Sequence, residues 1–360
     1  MPDRVFHKRL FEAVRERIPP GSTCLCAVSG GADSMAMLHG LLAANEIHRR
    51  GWSLRVAHLD HQLRADSADV ARFVQEMAAA SGLPCSIEVA NVAREARRAK
   101  EGIEETARRL RYGFLARVAA ERGASVVAVA HHADDQAETI LHRIIRGTGL
   151  RGLGGIPESL PLEPGGAVML VRPVLGFRRR ELADYLRRRG IAHRHDGTND
   201  DVAGATRNRI RHAVLPMLER DLNPKSVEAL LRLARQSRRA GEAIRHLAER
   251  TLFDLTIDSG PGRLGLNADH MATVPAAVQN EIIVLAIERL GVGLKPIGNE
   301  RIEAATALVG GDGRRRAIEL PGNLRVERRG RRLTIHVVEH PAAGRVAAPE
   351  APADATPVCR

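Results

Sequence analysis

Short apolar runs alternate with longer amphipathic stretches through the first half of the chain. Short runs bounded by turn residues are typical of buried strands, and the longer stretches have the periodicity of helices. The predicted strands are Thr23–Val28, Leu54–His58, Cys85–Val89 and Ser125–Ala130. The predicted helices are approximately Ser34–Asn45, Asp66–Ser81, Ile103–Arg122 and Asp134–Ile145. This order predicts an α/β domain with a doubly wound parallel sheet, a fold that binds ligands beyond the carboxyl ends of its strands.

The pattern changes in the second half of the chain. A stretch rich in glycine and proline at residues 147–166 precedes a predicted strand, Val168–Val174, and a predicted helix, Arg178–Arg189. Further on, the sequence predicts long helices at Lys225–Leu252 and Pro275–Leu290 and short strands within Ala317–Val338. We therefore predict a first domain over residues 1–221, a smaller, mainly helical domain with a terminal β segment over 222–340, and a disordered tail over 341–360.

The net charge of the chain narrows the class of its expected binding partner. There are 55 Lys and Arg residues against 43 Asp and Glu residues, a formal net charge of +12, and lysine occurs only at positions 8, 100, 225 and 295. Arginine can bind a phosphate group through two parallel hydrogen bonds, so we predict a nucleic-acid partner. A genome-wide preference for arginine also explains the Arg/Lys ratio, but it leaves the net charge unexplained. Aromatic residues make up 2% of the chain, which argues against recognition by several stacked bases.

The sequence lacks membrane-spanning runs and metal-binding cysteine motifs, which argues against membrane proteins and against zinc or iron–sulfur proteins. No apolar run approaches the roughly 18 residues of a membrane span, so we expect a cytoplasmic protein with no membrane partner. Four cysteines, at positions 24, 26, 85 and 359, have no zinc-ligand spacing. Cys24 and Cys26 lie two residues apart in a predicted strand, so we expect both to be small core residues. A zinc or iron–sulfur site is therefore disfavoured, and the sequence makes no prediction of oligomeric state.

The first predicted strand runs directly into a glycine-rich segment, Ser29–Ser34, with the sequence SGGADS. Glycine lets backbone amides approach an anion closely, and the helix that follows offers unpaired N–H groups and the positive end of its dipole. The segment therefore predicts a phosphate site. It differs from the GxxxxGK[ST] loop because no lysine follows the glycines, and a simple turn between strand and helix is the alternative.

Polar residues also follow the second and fourth predicted strands. His58, Asp60 and His61 lie beyond the second strand, either around a ligand or as a polar rim. In the segment AHHADDQAET at residues 130–139, Asp134 is expected to cap a helix, and Asp135 and Glu138 share one helix face. An ordinary acidic first turn is the alternative. In a chain of net charge +12, two carboxylates at this edge of the sheet favour a cation site.

The SGGADS segment resembles the SGGxDS loop of the PP-loop ATP pyrophosphatases, which adenylate a substrate and release pyrophosphate. The resemblance implies ATP and Mg²⁺, with Asp33 helping to hold the metal. It also implies a set of nucleotide-binding residues: Ser29, Gly30, Gly31, Ala32, Asp33, Ser34, His58 and Asp60.

Six more patterns follow in order, and together they resemble the tRNA(Ile)-lysidine synthases. They are HxDHxLR at 58–64, ExxARxxRY at 104–112, HxxDDQAET at 131–139, RGxG at 146–149, RP at 172–173 and RNxIR at 207–211. The resemblance implies the catalytic residues Asp33, Asp135, Glu138 and Arg207. It implies the lysine- and tRNA-binding residues Arg111, Asp135, Glu138, Arg207 and Arg211. His132 departs from the family, which often has asparagine at that position, and the region after residue 224 is short for the family.

Members of this family join free L-lysine to the wobble cytidine of the isoleucine tRNA with a CAU anticodon. The resemblance implies that ATP adenylates the C2 carbonyl oxygen of the cytosine and that the lysine ε-amine then displaces AMP. Asp135 and Glu138 would hold the lysine ammonium group, and one of them would act as general base. Arg111 and Arg207 would contact the lysine carboxylate, the AMP phosphate or the tRNA backbone. Residues 1–221 would be the catalytic domain, and 222–340 would contact tRNA.

The sequence leaves two alternative functions open. A PP-loop tRNA thiolase also adenylates a base, but it commonly needs cysteines near its site, where this chain has Cys24 and Cys26 in a predicted strand. A non-catalytic RNA-binding protein with a relic nucleotide site is the second. Six arginines on the predicted helix Lys225–Leu252 offer a face for tRNA phosphates, and an ordinary solvated helix face is the alternative. These arginines are Arg232, Arg235, Arg238, Arg239, Arg245 and Arg250.

Overall fold

The computed structural model describes residues 1–63, 66–194, 206–293, 297–310 and 316–338. The chain divides into two compact units, residues 1–239 and residues 240–360. The division falls later than the predicted boundary between residues 221 and 222, within a long helix, Ser226–Leu255. The start of that helix belongs to the first unit because Val227 packs with Ala137, Ile210 and Leu215.

A six-stranded sheet forms the centre of the first unit, in the order β3-β2-β1-β4-β6-β5. The strands are β1 Thr23–Ala27, β2 Ser53–Asp60, β3 Cys85–Val89, β4 Val126–Ala128, β5 Ser159–Pro161 and β6 Met169–Val171. All neighbours are parallel except the pair of β5 and β6. The predicted fold class is confirmed, although β5 was not predicted and β4 and β6 are shorter than predicted.

Helices cover both faces of this sheet, which is the doubly wound arrangement. Along β1, Cys24 and Cys26 belong to the hydrophobic core on one face, and Leu25 belongs to the core on the other. This alternation follows from the two-residue period of a strand, and it confirms that Cys24 and Cys26 are core residues. The helices of the unit are α1 Asp3–Val14, α2 Ala32–Ile47, α3 Ser67–Ala80, α4 Val92–Ala99, α5 Ile103–Glu121, α6 Ala133–Ile145, α7 Leu150–Leu153, α8 Arg179–Arg189, α9 Thr206–Arg209, α10 Leu215–Met217 and the start of α11 Ser226–Leu255.

The second unit contains a five-stranded antiparallel sheet in the order β7-β8-β11-β10-β9. Its strands are β7 Thr256–Gly260, β8 Arg263–Asn267, β9 Arg316–Leu320, β10 Leu324–Arg329 and β11 Arg332–Val337. Its helices are the rest of α11, with α12 Ala268–Ala272, α13 Ala276–Arg289 and α14 Asn299–Ala307. The sequence predicted the strands of the last region but not β7 and β8, so the β content is larger than a short terminal segment. The predicted disordered tail, 341–360, lies outside the described residues.

No helix within the described part of the chain is both long enough and apolar enough to cross a bilayer.

Candidate active site

A cavity of about 430 Å³ opens where the carboxyl ends of β1, β2 and β4 meet. Each of the three conspicuous polar segments of the sequence reaches it, because parallel strands deliver their following loops to one edge of the sheet. Its lining includes the residues Ser29, Gly31, Asp33, Ser34, His58, Asp60, Arg111, Asp135 and Arg211. Glu138 and Arg207 do not line the cavity and lie behind Asp135 and Arg211.

The glycine loop, residues Ser29–Ser34, connects β1 to α2 and is held by its own hydroxyl groups. The Ser34 hydroxyl accepts a hydrogen bond from the Ser29 amide at 3.1 Å and donates one to the Gly31 carbonyl at 2.9 Å. Gly31 is the N-cap of α2 and makes no side-chain cap, so the first amides of the helix are not capped by it. The loop therefore presents backbone donors at the positive end of a helix dipole.

Gly30 has to be glycine in this loop. Its φ of +82° lies in the left-handed region, which residues with a Cβ rarely adopt. A Cβ at Gly30 would also lie 3.1 Å from Val70 Cγ1 and 3.3 Å from Val74 Cγ2, on helix α3. The glycine therefore lets α3 pack directly under the loop.

Asp33 is in the first turn of α2 and faces the cavity with 27% of its side chain exposed. Its Oδ2 lies 3.5 Å from His132 Nε2, and its Oδ1 is buried with no hydrogen-bond partner among the described residues. No cluster of three or more His, Cys, Asp or Glu side chains within the described ranges is arranged to hold a metal ion. A cation at Asp33 would thus complete its coordination with ligand oxygens and water.

His132 caps helix α6, so the prediction that Asp134 caps it is wrong. The amide of Asp135 donates to His132 Nδ1 at 3.3 Å, and the amide of His132 donates to Asp135 Oδ2 at 3.0 Å. The helix begins one residue earlier than predicted, which puts Asp134 at its second position. Asp134 instead accepts hydrogen bonds from Arg178 Nε at 3.0 Å and from the Arg179 amide at 2.7 Å.

The cap also determines which ring nitrogen of His132 carries the proton and which side chains face it. Because Nδ1 accepts a hydrogen bond, the ring proton lies on Nε2, which faces Asp33 at 3.5 Å and Asp135 at 3.6 Å. Burial lowers the pKa of His132, but the hydrogen bond to Asp33 and the negative charges of Asp135, Asp33 and Asp134 outweigh it, and the net shift is upward. A single ring therefore connects the glycine loop to α6.

Four side chains form what we call the charge cluster: Asp135, Glu138, Arg207 and Arg211. Arg211 donates to Glu138 Oε1 at 2.6 Å and to Asp135 Oδ1 at 3.2 Å, and Arg207 donates to Glu138 Oε2 at 3.1 Å. Glu138 is 1% exposed. Burial raises the pKa of Asp135, but the positive charges of His132 and Arg207 and the hydrogen bond from the His132 amide lower it more, so the pKa stays below its usual value. The two predicted carboxylates are thus together, and each is already paired with arginine.

Both arginines that contact Glu138 come from one helical region, part of which departs from α-helical geometry. Arg207 lies on α9, and Arg211 lies in the π-helical segment Ile210–Val214 that follows it. Residues four apart lie on one face of a helix, so the RNxIR pattern places both side chains on the same side. Short π-helical segments are frequent at functional sites.

Arg111 and Arg172 add positive charge beside the cavity, around a neutral histidine. Arg111, on α5, has a buried Nε with no partner within the described chain, and burial lowers its pKa. Arg172 donates to the Pro157 carbonyl at 2.7 Å and lies 3.4 Å from His131 Nδ1. Burial lowers the pKa of His131 to about 3; Asp135 opposes this shift, and the positive charges of Arg172, Arg111 and Arg108 add to it. His131 is therefore uncharged at neutral pH.

His58 and Asp60 line the cavity, and both also hold the backbone in place. The Nδ1 of His58 donates to the Val28 carbonyl at 2.8 Å, and burial lowers the pKa of this histidine, so Nε2 is an acceptor. Asp60 accepts hydrogen bonds from the Gln62 amide at 2.8 Å and from the Ser67 hydroxyl at 3.3 Å. Burial lowers the pKa of the adjacent His61 to about 4.

Sequence reasoning missed two side chains that organise the site. Arg178 donates to Asp134, to Glu219 at 2.8 Å and to Glu228 at 3.1 Å, which ties α6 to the helices that follow the charge cluster. Gln136 donates to the Ile156 carbonyl at 2.9 Å. Gln136 stands in the DDQAET pattern, which signalled its importance, whereas nothing in the sequence around Arg178 distinguished it from its neighbours Arg179 and Arg180.

The arginines of α11 do not form one free basic face. Arg238 donates to the carbonyls of Gly154 and Ile156 at 2.7 and 2.9 Å, and Arg245 makes ion pairs with Glu281 and Glu288 at 3.2 and 2.8 Å. Four of the six predicted arginines are exposed: Arg232, Arg235, Arg239 and Arg250.

A parallel sheet whose first strand leads through a glycine loop into a helix N-terminus, at the mouth of a polar cavity, is the architecture of a PP-loop domain. The family model described as a PP-loop domain matches residues 2–218. The chain is 36% identical over 328 residues to a tRNA(Ile)-lysidine synthase of Geobacter sulfurreducens, covering 91% of this chain and 68% of that protein. It is 38% identical over 300 residues to a tRNA(Ile)-lysidine synthase of Dehalococcoides mccartyi, covering 79% and 60%. The chain belongs to the tRNA(Ile)-lysidine synthase family of PP-loop proteins, and it spans about two thirds of the length of these relatives.

A solved U34-tRNA thiolase of Methanococcus maripaludis, which holds a [4Fe–4S] cluster, has a similar fold. Its TM-score is 0.53 at 15% sequence identity, over 65% of this chain and 78% of that one. This likeness extends to the fold alone. In this chain Cys24 and Cys26 are buried in β1, Cys85 is on β3, and none of these three described cysteines lines the cavity.

Proposed function

We propose that this chain is an ATP-dependent carbon–nitrogen ligase that makes lysidine. It adenylates the C2 carbonyl oxygen of the wobble cytidine in the CAU-anticodon tRNA(Ile), and free L-lysine then displaces AMP, so that the tRNA reads AUA as isoleucine. The observation that carries the proposal is a single cavity that brings the glycine loop, Asp33 and Asp135 together. Its substrates are found in the cytoplasm, which is where we place the protein.

The first step needs an electrophile and a leaving group. The cytosine O2 attacks the α-phosphorus of ATP, the bond from that phosphorus to the bridging oxygen breaks, and pyrophosphate leaves with the electron pair. The amides of the glycine loop and the N-terminus of α2 are suited to bind the phosphates of ATP, because preorganised donors stabilise charge as it develops.

Asp33 is the residue suited to hold Mg²⁺ in this step. Its buried Oδ1 lacks a partner among the described residues, and one carboxylate beside phosphates matches the usual site for this ion, in which ligand and water oxygens fill the remaining positions. Bound Mg²⁺ would neutralise charge on the phosphates. Asp33 would thereby orient the phosphates of ATP toward the loop.

The second step needs a neutral amine, although the ε-amine of free lysine is protonated at neutral pH. Asp135 lines the cavity and has a lowered pKa, so it offers a carboxylate to the lysine ammonium group. Arg211 donates a hydrogen bond to that carboxylate at 3.2 Å. We infer that the ammonium group exchanges with the arginine, which frees Arg211, Arg207 or both for the lysine carboxylate or an RNA phosphate. Asp135 or Glu138 then accepts the proton as C–N bond formation expels AMP.

Attachment of radiolabelled lysine to an unmodified tRNA(Ile) transcript with a CAU anticodon tests the proposal. The purified chain is incubated with Mg-ATP and lysine, with an elongator methionine tRNA as the control substrate. Lysidine synthesis predicts label bound stably to the isoleucine tRNA alone and one AMP released per lysine attached. AMP release without attached lysine would reject lysine as the nucleophile, and absence of both products would favour a relic site.

A further inference from the structure

Binding of pyrophosphate at the glycine loop calls for positive charge that the side chains of the loop do not supply. The glycine loop itself carries no cationic side chain, while ATP and pyrophosphate each carry several negative charges. The cavity is lined by four arginines, at positions 111, 179, 194 and 211, and by four aspartates, at positions 33, 60, 66 and 135. The charges of the arginines and aspartates that line the cavity therefore nearly cancel. Where an anion binds in the cavity then depends on the position of each arginine.

Two of these arginines, Arg211 and Arg111, lie beside side chains that are outside the glycine loop. Arg211 is paired with Asp135 and Glu138 in the charge cluster. Arg111 lies on α5, close enough to His61 and His131 to lower the pKa of each. The remaining two, Arg179 and Arg194, form what we call the arginine pair. Among the residues that the structure describes, neither side chain makes an ion pair or hydrogen bond.

Arg194 is joined to the glycine loop through its backbone. Its amide donates to the Gly30 carbonyl at 2.9 Å, and it forms a parallel β-bridge with Gly31. Its guanidinium lies over the Phe73 ring, 5.0 Å from the centroid, on the helix that packs under the loop. A cation–π contact orients a guanidinium through its face and leaves the N–H donors at its edge available to a ligand. The side chain is thus held at the loop, and no carboxylate among the described residues pairs with it.

Arg179 lines the same cavity from the first position of α8. Its amide donates to Asp134 Oδ2 at 2.7 Å, and Asp134 lies beside His132, whose Nε2 is 3.5 Å from Asp33. The Arg179 side chain is exposed and lines the cavity. Asp134 takes its hydrogen bonds from the Arg178 side chain and the Arg179 backbone, so it fixes the position of Arg179 without using that guanidinium.

We propose that Arg194 and Arg179 bind the β- and γ-phosphates of ATP and retain the pyrophosphate after it leaves. This assignment rests on the proposed function and adds to it the side chains that supply the missing positive charge. When the bond between the α-phosphorus and the bridging oxygen breaks, the new negative charge develops on the β-phosphate. Guanidinium groups are suited to it because they donate two hydrogen bonds in a fixed geometry and stay charged.

The test measures binding of inorganic pyrophosphate and of AMP separately, by calorimetry on the full chain with Mg²⁺ and without tRNA. Arg194→Gln and Arg179→Gln each remove the charge and keep much of the side chain. We expect each to weaken pyrophosphate binding about tenfold or more, as for loss of a charge-assisted hydrogen bond, and to change AMP affinity by less than about twofold. Arg194→Lys should recover only part of the loss, because lysine keeps the charge without the bidentate geometry.

Arg187→Gln is the matched control, since Arg187 is on α8 with Arg179 but is exposed and paired with Asp184 at 2.7 Å. It should bind both ligands like the unaltered chain. Unchanged pyrophosphate affinity in Arg194→Gln and Arg179→Gln overturns the assignment, and so does an equal loss of AMP and pyrophosphate binding. These measurements need no lysine transfer, so a chain that binds pyrophosphate through this pair but never attaches lysine refutes the proposed function and keeps the arginine pair.

Discussion

The glycine loop and the charge cluster lie at the same edge of one sheet, yet they are prepared for their ligands in opposite ways. The loop is built from backbone amides, two serine hydroxyls and a helix terminus. The charge cluster is built from two carboxylates and two arginines that already satisfy one another. An anion can therefore enter the loop by replacing water, whereas a cation that pairs with Asp135 competes with Arg211 for the same carboxylate. Buried ion pairs are costly to break and tolerate such exchange only when the incoming partner replaces the lost contacts.

Removal of a single charge from the cluster gives the largest expected effect. Asp135→Asn retains an oxygen that can accept the hydrogen bond from the His132 amide, but it loses the anion that we propose receives the lysine ammonium group. We expect lysine attachment to fall at least about a hundredfold, as for a lost acid–base group, while tRNA affinity in a filter-binding assay is unchanged. Asp184→Asn, an exposed position on α8, is the control. Full lysidine formation by Asp135→Asn would eliminate the exchange mechanism.

A change in the backbone of the loop tests the other region. Gly30→Ala requires a left-handed alanine and forces its Cβ against Val70 and Val74, so we expect about 1–2 kcal/mol lower unfolding free energy and weaker ATP binding. Gly113→Ala is the control, since that helical glycine has open space around it, and the change should stabilise the chain by about 0.5–1 kcal/mol. Denaturant titrations with and without ATP measure both. A Gly30→Ala chain with unaltered ATP affinity would show that the loop tolerates a different backbone.

Acid should lower the unfolding free energy of the chain through His131, which lies near Asp135 of the charge cluster. Its folded-state pKa of about 3 lies below the unfolded value, so between those two values the unfolded chain binds the extra proton and stability falls as the pH falls. We expect His131→Gln to lose less unfolding free energy than the unaltered chain between about pH 7 and pH 5. The exposed His246→Gln serves as control. Parallel pH profiles for His131→Gln and the unaltered chain would contradict this expectation.

The smallest effect is expected outside both regions, on α11. If the exposed Arg235 and Arg239 contact tRNA phosphates, the variant with both changed to Glu should bind tRNA more weakly and reduce the logarithmic salt slope by about 2. Arg238→Ala should instead lower stability, because that side chain holds the Gly154 and Ile156 carbonyls. An unaltered salt slope in the double variant would assign those arginines to an ordinary solvated surface.

The hydrophobic periodicity and the positions of glycine and proline predicted most helices and strands of the first unit, because these elements depend on their local sequence. The apolar run at residues 23–28 and the glycines after it specify a strand, a turn and a helix start regardless of the rest of the chain. Short strands escaped this reasoning: β5 has three residues and includes Pro161, which is tolerated because β5 is an edge strand. β7 and β8 were missed as well: β8 has only two large apolar residues, Leu264 and Leu266, which pack in the core of the second unit, and β7 has no buried residue.

The sequence by itself determined most of the order of strands and helices in the first unit, the position of the glycine loop between β1 and α2, and several of the polar residues that line the cavity. Those features depend on spacing and on backbone preferences within a few residues. Only the tertiary structure decided that His132 caps α6, that Asp135 and Glu138 are neutralised by Arg207 and Arg211, and that Arg194 joins the glycine loop. These contacts join residues that are far apart in the chain, except for the cap. Their energies depend on distance and burial, which a linear pattern does not contain.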